Sequence, residues 1–396
     1  MDLSLVKTVQ GLSELETEWS ALCDRCDRYH YNQTFPYAFG AWKEFYQNGS
    51  GELAVVVGRD QGRLVLVFPM VVFHRLFWRL GKILSAGPYN NYTDLLIDPS
   101  LDQLDSAKKA WSYIKKVVSA DLFDLGYVSD DSILVQVIKQ SNYKVVAGND
   151  VLRMPLCGHP DWDSLYNQTH SSRFRRERRR CYRRLAEKGD IEIVQVHTES
   201  EMAQAFDWIA KHKSDWGVRH GKVVNYAFSP NFRQWSIGLF DPGLAQKILF
   251  VRLLKVGDRI VAASYSAICG KVMQLIFVTY DHDWKQYGPG NILEEADYKW
   301  AFDKGFHELD FGPGIQGYKL AWTDKSVPIK GYLVPDSLVG RCISFYKTFF
   351  VFLRTIFYRL PYFVRSAITK QLSKGQAVEK GSQLPSKTGT RSSNEE

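Results

Sequence analysis

The chain has 396 residues, 45% of them apolar and 14% aromatic, which is ample for two or three domains of roughly 100–200 residues and favours sheets with deep clefts over helical bundles. Its formal charge of +8 is carried by two segments: residues 171–188 hold eight Arg and one Lys against two Glu, and residues 341–374 hold four Arg and three Lys with no acid. Each segment is +7 and the remainder therefore −6, which excludes a nucleic-acid binder that is basic throughout and points to two local contacts with anions.

In chain order, residues 12–26 have the spacing of an amphipathic helix, and 36–46 of a second. Cys23 and Cys26 form a lone C-x-x-C in the first; without a second pair or a set of His they are read as ordinary helix residues. Strands are predicted at 53–58 and 63–69 around the turn 60–62, followed by a polar, aromatic loop over 87–94 and a strand at 95–97. A helix over 104–118 and a strand at 122–125 complete the first unit. The Arg-rich helix comes next, with Phe174, Cys181 and Leu185 giving it one apolar side.

Residues 190–335 repeat much of that order. A strand at 191–196 precedes helices at 200–213 and near 232–239. Strands at 248–255 and 259–268 flank the turn 256–258, and an apolar strand at 273–280 runs into Lys285-Gln286-Tyr287-Gly288-Pro289-Gly290-Asn291. A helix beginning near Asn291 continues to Lys304 and leads to a strand at 308–311. The strand, glycine turn and helix N-terminus aim backbone N–H groups and the helix dipole at one point, so the turn is suited to hold a phosphate or carboxylate, or is a plain structural turn. From 345 to 364, Phe345, Phe349, Leu353, Ile356, Phe357, Leu360, Phe363 and Val364 share a face opposite Lys347, Arg354, Arg359 and Arg365. That pattern suits a helix lying in an anionic membrane surface over residues 341–370, or one packed on the protein body. No apolar run reaches the roughly 20 residues needed to span a bilayer, and no secretory signal is visible, so a cytoplasmic protein peripheral to the inner face of the membrane is expected.

The second unit resembles a GNAT acyltransferase domain. In that superfamily the loop between the fourth strand and the next helix reads Q/R-x-x-G-x-G/A and holds the pyrophosphate of CoA; here Lys285-x-x-Gly288-x-Gly290 aligns with it, with Lys in place of Gln or Arg. Residues 1–335 resemble the tandem-GNAT family that includes Fem-type peptidyltransferases and CelD-type proteins of polysaccharide synthesis. The resemblance is carried by Tyr287-Gly288-Pro289-Gly290, by Asp310-Phe311-Gly312-Pro313-Gly314 leading to Tyr318-Lys319-x-x-Trp322, and by the Arg-rich helix. Asn91-Tyr92-Thr93-Asp94 stands where the family has an aromatic, acidic loop, whereas Ile315-Gln316 replaces an acidic residue that relatives often carry. The implied fold is α/β (α+β): two tandem GNAT-like domains, each a mixed, mostly antiparallel sheet flanked by helices. The expected divisions are 1–170, an Arg-rich linking helix at 171–189, 190–338, an amphipathic basic and aromatic helix at 339–374, and a disordered tail at 375–396.

No Ser-His-Asp or Cys-His constellation and no metal-ligand set is evident, which suits direct acyl transfer to an amine. Lys319, after a Gly-rich turn, is the candidate for binding an anionic group or stabilising an oxyanion, or is a surface lysine. Tyr280, beside Asp281 at a strand end, and Asp310, a carboxylate in an apolar strand, are the candidate acid or base groups. The resemblance implies acyl-CoA as co-substrate, with no permanently bound cofactor, held by Lys285, Gln286, Tyr287, Gly288, Pro289, Gly290 and Asn291. Tyr318 and Trp322 either wall a sugar or pantetheine or pack in the core; Tyr92, Asp94, Arg173 and Arg176 are further candidate substrate contacts. The expected reaction is N-acylation of a sugar, lipid-linked glycan or peptide precursor near the membrane. A Fem-like aminoacyl-tRNA-dependent transferase, with the basic helix on the tRNA, and a non-catalytic accessory of polysaccharide assembly are the alternatives.

Overall fold

The computed structural model describes residues 1–49, 51–86, 92–221 and 228–359, with side chains described up to residue 350. The chain runs through β1 (Asp2–Val6), α1 (Val9–Ser13), α2 (Glu16–Asp24), α3 (Phe35–Ala41), β2 (Gly51–Asp60), β3 (Arg63–Arg75), β4 (Trp78–Ile83) and β5 (Leu96–Ile97). It continues through α4 (Gln103–Val118), β6 (Leu122–Ser129), α5 (Ile133–Ile138), β7 (Lys144–Pro155), α6 (Trp162–Thr169) and α7 (Ser172–Ala186). Then come β8 (Ile191–Gln195), α8 (Glu199–Arg219), α9 (Pro230–Gly238), β9 (Leu249–Val256), β10 (Arg259–Cys269) and β11 (Val272–Tyr280). The last elements are α10 (Pro289–Asp303), β12 (Glu308–Pro313), α11 (Gly317–Leu320), β13 (Ser326–Pro335) and α12 (Leu338–Arg359).

The strands join one sheet in the order β1-β2-β3-β4-β6-β13-β7-β12-β11-β10-β9-β8, with β5 on β3. The expected repeat is visible in it. In each half an antiparallel meander is followed by a helix and a strand that returns parallel: β4 with β6, and β11 with β12. Each parallel pairing covers only three residue pairs, Leu80–Lys82 against Leu122–Asp124 and Val272–Gln274 against Glu308–Asp310. The final strand of each half crosses over: β7 pairs with β12 and β13, while β13 pairs with β6 and β7.

The core follows that sharing. One apolar cluster joins Trp19, Tyr31, Tyr37 and Ala41 of the first half to Phe206, Trp235 and Tyr265 of the second. The rings of Tyr37 and Trp235 meet edge-on at 5.2 Å. Cys23 and Cys26 are buried in this cluster, where burial raises both thiols above their ordinary pKa. Opposite it, α4 and α5 cover β2, β3 and β6 with Trp111, Ile114, Leu134 and Ile138. A third cluster, Trp162, Leu165, Tyr298, Phe311 and Trp322, seats α6 and α10 on β12.

The structure moves one boundary that matters for the site. The second-half helix starts at Pro289 rather than near Asn291, because Gly288 takes a left-handed φ of 62° and Pro289 occupies the first helical turn, where its missing N–H costs nothing. Residues 282–287, ahead of it, form a short 3₁₀ helix capped by the Asp281 side chain. Residues 1–344 are one compact unit, and the chain from Phe345 onward is counted in another. In α12, Phe345, Tyr346, Phe349 and Phe350 are exposed. The expected amphipathic pattern beyond 350 and the expected tail lie outside the described side chains, as do residues 87–91 of the first polar loop. Among the described residues no helix is long and apolar enough to cross a membrane.

Candidate active site

The second-half parallel pair sets the site's geometry. β11 and β12 are paired as far as Gln274 and Asp310, and no further. Beyond that level β12 follows β7 through an irregular register, with Gly312 and Gly314 at φ 67° and 96°. β11 continues to Tyr280, the 3₁₀ turn and Gly288.

At the N-terminus of α10, the Gly288 amide bonds to the Lys285 carbonyl and the Ile292 amide to the Gly288 carbonyl. Pro289 has no donor, which leaves the Gly290 and Asn291 amides at the positive end of the helix. The missing side chains matter here. A Cβ on Gly290 would stand 3.2 Å from the Tyr280 ring, and one on Gly288 3.5 Å from Cys181 Sγ. Cys181 lies on the inward side of α7, so the Arg-rich helix packs against the glycine turn. Arg184 donates to the Gln286 carbonyl at 3.5 Å, and the cations of Arg184 and Lys188 lie 5.4 and 5.8 Å from the centre of the Tyr287 ring. Lys285 and Gln286 are exposed beside them.

Asp310 stands where the pairing of β12 with β11 ends, and Lys319 follows on α11. Lys319 is buried, and its Nζ donates to the carbonyls of Gly312, Pro313 and Gly314 at 3.1, 3.1 and 3.2 Å. Burial lowers its pKa to about 8, against the pull of Asp310 and Glu294. Asp310 is 1% exposed and accepts from the Tyr92 hydroxyl at 2.5 Å and from the Gly312 amide at 2.8 Å. Arg153 Nε stands 3.4 Å from its other oxygen and the same guanidinium binds Asp131. Tyr92 thus ties the first half to the second-half strand, and its ring stacks on His30 at 4.1 Å. Burial, then Asp310, raises the Tyr92 phenol, and burial lowers the pKa of His30 to about 3, so both stay neutral at pH 7.

The other sequence candidates fall into separate places. Tyr280 belongs to the glycine turn, packed with Ile292 and Leu293. Tyr318 is half exposed, near Glu294. Trp322 is 3% exposed inside an aromatic cluster, 4.3 Å from His170 and 4.8 Å from Tyr298. Asp94 receives the amides of Leu95 and Leu134 and lines a cavity of about 330 Å³ with His30, Asp131 and Gln136; burial raises its pKa to about 7. Arg173 and Arg176 are exposed on α7, whereas Arg178 turns in beneath them, 4.7 Å from the Phe174 ring centre and 3.9 Å from Glu295.

Sequence reasoning missed Glu294, Lys213 and Arg153. For Glu294 a signal existed: with Gly290, Leu293, Asp297, Tyr298 and Ala301 it falls on one helical face, and two carboxylates on a buried face need a reason. Lys213 lies between the rings of Trp216 and Phe277, 5.5 and 5.4 Å from their centres, and burial lowers its pKa to about 8.

A sheet with a short parallel pair that opens onto a glycine-capped helix is the layout of the GNAT acyltransferase fold. Residues 172–320 match the family model described as Acetyltransferase (GNAT) domain, and that part of the chain is a GNAT-type domain. No curated protein sequence matches the chain. Among solved structures it is similar to FemX, at 12% identity and a TM-score of 0.60 over 87% of this chain and all of that one. It is also similar to a conserved protein of unknown function from Bacteroides thetaiotaomicron, at 12% identity and a TM-score of 0.51 over 84% of this chain and all of that one. At such identities the likeness establishes the fold alone, with the GNAT-type domain at 172–320 as its second part.

Proposed function

We propose that the protein is an N-acyltransferase that moves an acyl group from acyl-CoA, or a similar thioester, directly to an amine. The observation that carries this reading is the parting of β11 from β12 beyond Gln274 and Asp310, with the glycine-capped start of α10 following β11 and the Lys319 ammonium following β12. In this reading the Gly290 and Asn291 amides and the nearby cations of Lys285, Arg184 and Lys188 hold the donor's phosphates. Lys319, kept in place by three carbonyls, offers its charge to the oxyanion that forms at the acyl carbon. The acceptor is an amine on a sugar, lipid-linked glycan or peptide precursor at the inner membrane face, where the exposed aromatic side chains of α12 favour contact with lipid.

One observation favours a second reading: α7 exposes Arg173, Arg176, Arg179, Arg180 and Arg183 together, a surface suited to the backbone of an aminoacyl-tRNA donor. Titration calorimetry of the purified protein with CoA, acetyl-CoA and bulk tRNA separates the two. Micromolar binding of CoA that is weakened at least tenfold by Gly290→Val supports the thioester donor. Tight tRNA binding with no heat from CoA replaces it with the tRNA-dependent reading.

A further inference from the structure

Glu294 sits one turn into α10 from Gly290 and is 7% exposed. Among the described residues its carboxylate makes no hydrogen bond and no ion pair within 4 Å. Its neighbours on the helix are satisfied: Glu295 by the Tyr166 hydroxyl at 2.8 Å, Asp297 by Arg252 at 2.9 Å. The Glu294 side chain is largely covered, yet its oxygens are not among the fully enclosed unpartnered polar atoms, so the carboxylate keeps a little access to solvent without a protein partner, the situation a group that exchanges protons with substrate and water requires. The charges that face it come from every side. Arg178 on α7, Lys213 on α8 and Lys319 on α11 favour its ionised form, Asp297 on α10 opposes it, and the phenols of Tyr298 and Tyr318 lie close enough to feel it. Burial outweighs the three cations and raises its pKa to about 7, where a general base is most effective.

We propose that Glu294 is the general base that takes the proton from the acceptor amine, an assignment that rests on the acyltransferase reading above. An amine arriving as an ammonium gives one proton to the Glu294 carboxylate, which passes it to water. The nitrogen lone pair then forms the C–N bond at the thioester carbonyl carbon, whose π electrons move to oxygen. The nitrogen, now positively charged, gives its second proton to Glu294, and as the C–S bond breaks that proton goes to the departing sulfur. The sum is amide, thiol and one proton to solvent. Arg178, Lys213 and Lys319 assist the first step by making the site less hospitable to an ammonium than to a neutral amine.

Glu294→Gln keeps the shape and removes the base. With acetyl-CoA as donor and glucosamine or a lysyl peptide as acceptor, free thiol being read, the variant should lose 100- to 10,000-fold in kcat/KM at pH 7 with the acetyl-CoA KM within about threefold. Its residual rate should climb tenfold per pH unit, as expected when only free amine reacts. A Glu294→Gln rate within threefold of wild type overturns the assignment alone; wild-type protein that releases no thiol overturns the acyltransferase reading and the assignment with it. Thermal melting needs no substrate. If the carboxylate is unpaired, Glu294→Gln melts about 2–4 °C above wild type at pH 8.5, with no difference at pH 5. A lower melting point for the variant at pH 8.5 would make Glu294 a structural ion-pair partner and remove the ground for the proposal.

Discussion

Lys319, the residue proposed to face the oxyanion, is first of all held by structure. Its ammonium is fixed by three carbonyls that point the same way only because Gly312 and Gly314 take positive φ. The buried titratable groups around the site pull stability in opposite directions with pH. His30 and His170 have folded pKa values lowered to about 3 and 4 by burial, from 6.5. Between those values the unfolded chain binds more protons, so their contribution is present above about pH 6.5 and is lost as pH falls toward 4 and 3. Glu294 and Asp94, raised to about 7 from 4.5 and 3.8, behave oppositely: the folded chain holds the protons, so their cost appears as pH rises through 4–7. His170 allows a clean separation, since its ring stacks on Phe174 at 4.0 Å and its buried Nε2 has no partner. Replacing it with Phe keeps the stack and removes the titration. His170→Phe is expected to lose about 2–4 °C less in melting temperature than wild type between pH 6.5 and 4.5, by scanning fluorimetry. Parallel pH curves for the two proteins would show that His170 is not neutral in the native state.

At the scale of elements, α7 has two faces with separable roles. Phe174, Arg178, Cys181 and Leu185 turn toward α10 and the glycine turn, and Leu185 is fully buried. Arg173, Arg176, Arg179 and Arg183 face out. Changing those four to Gln should leave the melting temperature within about 2 °C, because surface charges contribute little to stability. It should weaken binding to heparin at least tenfold and flatten its salt dependence, each lost cation contact removing roughly one unit of slope. Leu185→Ala should do the reverse: a loss of about 2–5 kcal/mol by urea unfolding, with the outward charge unchanged. This division was legible in the sequence, since the apolar stripe and the Arg run are out of phase on one helix. So were β11, the glycine turn, α10 and β12, whose apolar periodicity is uninterrupted. β7 and β13 were not. Val145-Val146-Ala147-Gly148-Asn149-Asp150 and Ser326-Val327-Pro328-Ile329-Lys330-Gly331 carry the Gly, Pro, Asn and Asp that normally end strands. Pairing on both sides overrides those local preferences, and no single-segment pattern reports it. The Tyr92–Asp310 contact was hidden for the same reason: it spans 218 residues of sequence.

For the whole of residues 1–344, the crossed strands decide how the protein unfolds. β13 is the last strand of the second half, yet its partners are β6 and β7; β7 is the last strand of the first half, yet it lies between β13 and β12. Neither half therefore closes its own sheet. Cutting between them would leave β6 and β12 each with an unpaired edge, and would strip the shared core of either Trp19 and Tyr37 or Phe206 and Trp235. Two independent domains would melt in two steps; interlocked halves must melt in one. We expect residues 1–344 to unfold in urea in a single transition, with tryptophan fluorescence and far-UV circular dichroism coincident. Leu333→Ala, toward the C-terminal end of β13 and 1% exposed, should move both probes together by about 2–5 kcal/mol. Fragments 1–155 and 156–344 made alone should show no cooperative transition, and mixing them should restore one. A cooperative transition in either isolated fragment would mean that one half carries its own core. The coupling bears on the proposed site, because Asp310 and Lys319 sit on the seam: Tyr92 and Arg153 reach Asp310 from the first half, and the Gly312–Gly314 turn that holds Lys319 follows directly. A loosened seam should therefore lower acyl-transfer rates before it lowers the melting temperature, and the Leu333→Ala protein, assayed below its transition, is the variant in which to look for that order.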